Sequence, residues 1–312
     1  MDHILIWCIL LMAGLFLLIK AADFFNRAAE NIGLSLGLSP FIIGVVLVGI
    51  GTSLPELISS CIAVVKGFSE IVPGNVLGSN IANIFLIIGI ISALTPTSIV
   101  LTEKSIIVDL QFLIGSALFT AVTIYDGIFN VYEGLLCICM FIGYIFYQLT
   151  DSNSATVADE KRPKATPKDY LTFMVSSAVI YLSADLTIEA VIRISDYLQI
   201  GKEIIAASMI AVGTSLPELV VSISATKQGN ADVAIGNIVG SCIFNVLWVM
   251  GFSSLFGTIV IPASVLSITL PFMLIATFLF FVMTRNRSFS RYTGILFLLF
   301  FVLFMAKLFS AF

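Results

Sequence analysis

The chain has 312 residues, of which 59% are apolar and 11% charged, and its mean hydropathy is +1.10. A water-soluble domain carries about 25% charged residues, so this composition belongs to a polytopic membrane protein. The net charge of −4 and the 15 scattered Lys and Arg exclude a phosphate-tracking surface, and no nucleic-acid partner is expected.

The first apolar run, Ile4 to Ile19, follows Asp2 and no Lys or Arg, which is wrong for a signal peptide. It reads as a first spanning helix over roughly residues 4–22. The lone histidine, His3, lies at the terminus, so imidazole catalysis and imidazole-bound metal are not expected. The second run, roughly 40–65, is broken at its middle by Gly51-Thr52-Ser53-Leu54-Pro55-Glu56-Leu57. One half-helix is expected over Phe41–Ile50 and another over Glu56–Val65. Pro55 has no N–H to donate and its ring clashes with the preceding turn, so carbonyls near Gly49 to Thr52 are expected to be free. A carboxylate at that depth is expensive, which makes Glu56 a candidate site residue.

The third run, roughly 71–94, carries Asn75, Ser79 and Asn83 at i, i+4 and i+8. On a helix these form one polar stripe that drifts by only about 40°. Gly74 and Gly78 beside it, and Gly236 and Gly240 in the matching later span, are small enough for another backbone to approach. The fourth and fifth runs, roughly 105–124 and 127–149, close the first half. A polar stretch with Pro163, Pro167 and seven charges between Thr150 and Lys168 then reads as a connecting loop. Five more spans are expected at roughly 168–186, 203–226, 231–256, 262–283 and 291–310.

A displacement of 162 residues lays the chain on itself without a gap: Asp23 falls on Asp185, Glu56 on Glu218, Asn75 on Asn237, Ser79 on Ser241 and Asn83 on Asn245. The seven letters at Gly51 return at Gly213-Thr214-Ser215-Leu216-Pro217-Glu218-Leu219. This is a duplication. Because five spans per half is odd, the halves enter the membrane from opposite sides. The expected fold is an all-α polytopic membrane protein with ten transmembrane helices in two inverted-topology five-helix repeats. The first repeat takes residues 1–149, a cytoplasmic linker 150–167 and the second repeat 168–312. Eleven of the 15 Lys and Arg fall in loops after odd-numbered spans, which assigns those loops to the cytoplasm and both termini to the outside of the cell membrane.

The polar groups are oxygens: the carboxylates of Glu56 and Glu218, the hydroxyls of Thr52, Ser53, Thr214 and Ser215, and carbonyls such as that of Ala211. Ser79, Asn83, Ser241 and Asn245 extend the set along the stripes. Hard cations such as Ca²⁺ favour all-oxygen ligation, at about 2.3–2.6 Å. One divalent ion would neutralise the two Glu, whereas more than one monovalent ion is needed for the same result. Asn75 and Asn237 read equally as ligands or as brackets across a broken helix. Asp23 and Asp185, near span ends, read as interfacial or helix-fixing residues. The five cysteines, Cys8, Cys61, Cys137, Cys139 and Cys242, lack zinc spacing and read as core or lipid-facing residues.

The two GTSLPE blocks, each followed by a G-N-x-x-G-S-x-x-x-N block, resemble the alpha repeats of the sodium/calcium exchanger family in the cation/calcium exchanger superfamily. The resemblance covers both halves and implies a compact, prokaryotic-type antiporter that exchanges Na⁺ for Ca²⁺ by alternating access. It implies Glu56 and Glu218 as calcium ligands with backbone oxygens at Thr52 and Thr214. Sodium sites would use Gly49, Thr52, Ser53 and Ser79 on one side and Ala211, Thr214, Ser215 and Ser241 on the other, with Asn83 and Asn245 between them. The first and sixth spans would slide over the rest. Some relatives carry Asp where this chain has Asn245, which argues against potassium coupling.

The alternatives are an H⁺/Ca²⁺ or K⁺-dependent antiporter, a cation channel, and an intramembrane hydrolase, for which no nucleophile constellation exists. The chain is therefore not expected to be an enzyme or to need a cofactor. Its expected partners are Ca²⁺, Na⁺ and the lipid bilayer, with no obligate protein partner evident.

Overall fold

The computed structural model describes residues 2–35, 51–95, 99–100, 106–151, 165–229, 231–284 and 288–310. In chain order the elements are α1 (Asp2–Ser35), α2 (Leu54–Val65), α3 (Ile71–Leu94), β1 (Ile99–Val100), α4 (Ile106–Thr123), β2 (Ile128–Phe129) and α5 (Val131–Asp151). They continue as α6 (Pro167–Leu198), α7 (Lys202–Lys227), α8 (Ala231–Phe256), β3 (Ile259–Val260), α9 (Val265–Thr284), β4 (Ser288–Phe289) and α10 (Arg291–Phe309). Among the described residues eight helices are long and apolar enough to cross a membrane, and Leu54–Val65 and Asp109–Thr123 are shorter apolar helices. Large apolar side chains such as Phe16, Val122, Phe146, Leu171 and Val302 point outward. The polar side chains Asn75, Ser79, Asn83, Ser241 and Asn245 are instead fully buried, the reverse of a water-soluble arrangement.

The helices at the first and sixth expected spans are longer than the apolar windows foretold, with 34 residues in α1 and 32 in α6. At about 1.5 Å per residue each extends to roughly 50 Å, well beyond a hydrocarbon core of about 30 Å. The apolar windows stop at charged residues, whereas the helices run through them. Pairs on the helix surface satisfy those charges, as with Lys20 to Asp23 at 3.7 Å and Arg193 to Glu189 at 2.8 Å. The two long helices lie against each other along their length. A Cβ on Gly14 would sit 2.7 Å from Thr187 Oγ1, which shows how closely the backbones approach.

The contacts between the halves are reciprocal. α3 packs on α10 as α8 packs on α5, and α2 meets α3 as α7 meets α8. β1 pairs with β4, Ile99 opposite Phe289, while β2 pairs with β3, Ile128 opposite Val260. Both ladders are antiparallel and each joins one half to the other. They mark two ends of the molecule, the β1–β4 end and the β2–β3 end.

The small residues of the third span act as expected, but those of the eighth do not, since a Cβ on Gly236 or Gly240 would meet nothing within 4 Å. A Cβ on Gly74 would lie 2.3 Å from the Glu203 carbonyl oxygen, and one on Gly78 would lie 2.7 Å from the Ala207 backbone. Their absence lets α3 sit directly on the first half of α7. The five cysteines are free, Cys137 and Cys242 in the core and Cys139 at the surface.

Candidate functional site

Four segments converge at the centre: the start of α2, the middle of α7 and the middles of α3 and α8. The break in α7 is narrower than the sequence suggested. Only Ser215 leaves helical geometry, at φ −81° and ψ 3°, and the helix resumes at Leu216 with Pro217 in its first turn. Proline is well tolerated there because the first-turn N–H groups have no partner in any case. The missing N–H still deprives the carbonyl four residues back, at Gly213, of its helical donor. The Ala211 carbonyl is not fully free, since it accepts Ser215 N at 3.2 Å and Thr214 Oγ1 at 3.5 Å. In the first half α2 likewise starts at Leu54 with Pro55 in its first turn. Gly49 and the half-helix expected over Phe41–Ile50 lie outside the described residues.

This geometry places both acids in the first turn of a helix, where the macrodipole favours negative charge. Glu56 and Glu218 are each 0% exposed. The side chains cross between halves: Thr214 stands beside Glu56, and Thr52 beside Glu218. Ser53 Oγ donates to Glu218 Oε1 at 3.0 Å and Ser241 Oγ donates to the same oxygen at 2.9 Å. Among the described residues no ion pair reaches either Glu.

The twin of this arrangement is open. Ser79 Oγ, Ser215 Oγ and both Glu56 oxygens are buried without a hydrogen-bond partner of good geometry, and so are Glu218 Oε2, Asn83 Oδ1 and Asn245 Oδ1. Five acceptor oxygens of charged or amide groups are thus left unmet, and Asn75 Oδ1, Asn237 Oδ1 and the donor Asn83 Nδ2 are buried without such a partner as well. An unmet buried polar group is costly, far more so when charged, unless something of opposite character completes it. Only a cation or a set of strong donors can do that for acceptors. The two carboxylates and neutral oxygens fit a hard cation.

Asn75 and Asn237 act as brackets. Asn75 Nδ2 reaches the Glu56 carbonyl at 3.4 Å and Ser60 Oγ at 3.1 Å, and Asn237 Nδ2 reaches the Glu218 carbonyl at 3.5 Å and Ser222 Oγ at 3.3 Å. They fix the helices that carry the acids. Asp185 pairs with Lys66 at 2.8 Å and Asp23 with Lys20, so both sit outside the cluster.

Two residues escaped the sequence reading. Asn80, 1% exposed, accepts from Asn245 Nδ2 at 3.3 Å and donates to the Cys242 carbonyl at 3.1 Å, joining the halves beside the site. Its twin is Cys242, so the repeat gave no paired signal. Asn26 of α1 stands over Gly51, where a Cβ would fall 2.5 Å from its Oδ1. The other feature absent from the letters is a set of π-helical turns, at Ala82–Ile88 in α3, Ala206–Ile210 in α7, Asn245–Val249 in α8 and Val265–Thr269 in α9, two of which hold the candidate residues Asn83 and Asn245. Such turns are frequent at functional sites.

The sequence profile of the sodium/calcium exchanger protein family matches residues 6–150 and 168–309. The chain belongs to the sodium/calcium exchanger family. This exchanger-family chain is similar to the sodium/calcium exchanger MaX1 of Methanosarcina acetivorans, at 33% identity over 96% of this chain and 98% of that one. It is also similar to the putative antiporter CaxA of Alkalimonas amylolytica, at 31% identity over 98% of this chain and 100% of the relative. Among solved structures, the sodium-calcium exchanger NCX_Mj soaked with 2.5 mM Na⁺ and 10 mM Sr²⁺ matches with a TM-score of 0.68 and 26% identity, over 97% of this chain and 99% of that one. The likeness runs through both halves. The chain is a multi-pass membrane protein with the fold of that exchanger.

Proposed function

We propose that this family member is a Na⁺/Ca²⁺ antiporter of the cell membrane. The observation that carries the reading is the cluster of unmet buried oxygens around two acids that come from duplicated halves. Glu56 and Glu218 would hold Ca²⁺, with oxygens of Thr52 and Thr214 beside them. Ser53, Ser79, Ser215, Ser241, Asn83, Asn245 and the carbonyls of Gly49 and Ala211 would complete the calcium and sodium sites. One Ca²⁺ or more than one Na⁺ balances the same two carboxylates, so the loads exclude each other. An inward sodium gradient then drives calcium outward.

The ten-span inverted reading, with repeats at 1–149 and 168–312 around a linker at 150–167, draws support from the two ladders. β1 and β4 follow the third and ninth expected spans, and the six spans between them return the chain to one side. β2 and β3 enclose four spans, again an even number. Each ladder therefore joins loops that the Lys and Arg distribution assigns to the same face. On that assignment the β1–β4 end is cytoplasmic and both termini are outside.

The test is uptake of radiolabelled Ca²⁺ into Na⁺-loaded proteoliposomes at clamped pH, with external Na⁺ and K⁺ varied separately. Uptake should require the outward sodium gradient and be indifferent to K⁺. Uptake that ignores Na⁺ and follows an imposed pH gradient would assign the site to proton-coupled exchange instead.

A further inference from the structure

The duplicated halves are built alike yet do not sit alike. Eight of the 12 residues of α2 are buried, against four of the 12 in its twin, the Leu216–Lys227 part of α7. At the β2–β3 end, α6 packs along α2. The twin contact, α1 along Leu216–Lys227, is at most marginal among the described residues. Cys61 Sγ lies 3.7 Å from Ser253 Oγ, and a Cβ on Gly257 would meet Val64 at 3.2 Å. At the β1–β4 end the corresponding space is a cavity of about 260 Å³ between the ends of α3 and α7, lined by Ile91, Leu94, Thr95, Ile223, Thr226 and Lys227. Among the described residues the tighter packing lies at the β2–β3 end.

A side-chain difference coincides with this asymmetry. α2 and α7 end in the same way, at Lys66 (φ −77°, ψ −3°) and Gln228 (φ −84°, ψ 1°), each followed by a glycine at φ 80°, Gly67 and Gly229. From its cap, Lys66 Nζ reaches across to α6: 2.8 Å to Asp185 Oδ1, 3.9 Å to Glu189 Oε2 and 3.4 Å to the Asp185 carbonyl. Arg193 holds Glu189 at 2.8 Å and lies 5.8 Å from the Trp7 ring centroid, tying α1 into the same group. The twin position is Gln228, and the cation beside it, Lys227, makes no ion pair with α1 among the described residues. Gln228 bonds Ser224 on its own helix at 3.1 Å. Asp23 pairs with Lys20 on its own helix, and Glu189 is replaced by Arg27.

We propose that Lys66, Asp185 and Glu189 form a one-sided latch that holds α6 against α2 and biases the protein toward the state closed at the β2–β3 end. The inference rests on the alternating-access reading above. The two caps share their backbone geometry but differ in where the cation stands, at Lys66 after Val65 in one and at Lys227 before Gln228 in the other, and a charge that bridges α2 and the long α6 helix is lost when the two separate. Partly exposed ion pairs shift a two-state equilibrium by about 1.5- to 5-fold, so the latch tilts the balance without locking it.

Thiol labelling in oriented membranes tests this. Val220 and Ile58 are equivalent positions, on the second part of α7 and on α2 respectively. The labelling rates of Val220→Cys and Ile58→Cys, above the background of the parent chain, give the openness of the two ends. Lys66→Gln should lower the Val220 to Ile58 ratio by about 1.5- to 5-fold. The swap Lys66→Asp with Asp185→Lys should restore it, and Gln228→Lys, which offers Asp23 a partner, should lower it in the otherwise unchanged chain. A ratio unmoved by Lys66→Gln overturns the latch, as does a swap that fails to restore a lowered ratio. Sodium-driven Ca²⁺ uptake, measured on the same preparations, separates the two readings: an unmoved ratio with normal exchange sinks the latch alone. Absent exchange in the parent chain sinks the transport assignment, while the ratio still reports whether Lys66 governs access.

Discussion

Glu56 and Glu218 are ordinary first-turn acids by local geometry, and their consequence comes from depth and company. Each is fully buried, and among the described residues no Lys or Arg pairs with either one. Glu56→Gln or Glu218→Gln keeps side-chain volume and removes the charge that a divalent ion needs. Either change should lower sodium-driven Ca²⁺ uptake by tenfold or more while the melting temperature moves by only a few degrees. Asn75 makes a contrasting case. Its amide bonds the Glu56 carbonyl and two serines, so Asn75→Ala should destabilise the fold by about 1–3 kcal/mol in a thermal or denaturant melt. The preference for Ca²⁺ over Mg²⁺ among molecules that fold should stay unchanged. A shifted preference with an unaltered melt would make Asn75 a ligand and not a bracket.

At the scale of elements, the backbone does what the letters cannot display. Pro55 and Pro217 were expected to open five-residue gaps, and the described break in α7 is the single residue Ser215. The reason is that a proline in the first turn of a helix has no intrahelical bond to lose, so the chain restarts at once. Gly78 works through space: its missing Cβ admits the Ala207 backbone at 2.7 Å. Gly78→Val should cost about 1–3 kcal/mol or more, read as a lowered melting temperature. Gly143→Ala, where a Cβ meets nothing within 4 Å, should be neutral or stabilising by up to about 1 kcal/mol. Equal effects at both positions would show that helix propensity, and not the close approach of α3 and α7, decides the matter.

For the whole molecule, topology and sidedness are the quantities to test. Asp126 lies in the loop between α4 and α5, and Gln228 at the end of α7, and both are exposed. The inverted arrangement expects a membrane-impermeant thiol reagent to label Asp126→Cys only from outside and Gln228→Cys only from the cytoplasm. Labelling of both from one side would refute that arrangement. The reciprocal contacts run from the ladders to the paired brackets of Asn75 and Asn237. The Lys66 contact to α6 departs from that reciprocity, since its twin position, Gln228, bonds within its own helix.

Most of the site was legible in the letters because duplication wrote it twice: a polar heptad in an apolar run has no cheap structural reading, and two of them 162 residues apart leave fewer still. Periodicity was enough to put Asn75, Ser79 and Asn83 on one helix face, and hydropathy was enough to place most of the apolar helices. What the letters could not carry was everything decided between elements. Asn80 matters because it meets Asn245 and the Cys242 carbonyl across the repeat, and no spacing along one chain announces such a meeting. The length of α1 and α6, the crossing of Thr52 and Thr214 to the opposite acids, and the grip of Lys66 on α6 share that origin. Sequence pattern fixes which residues must leave lipid, and tertiary contact alone chooses the partner that receives them.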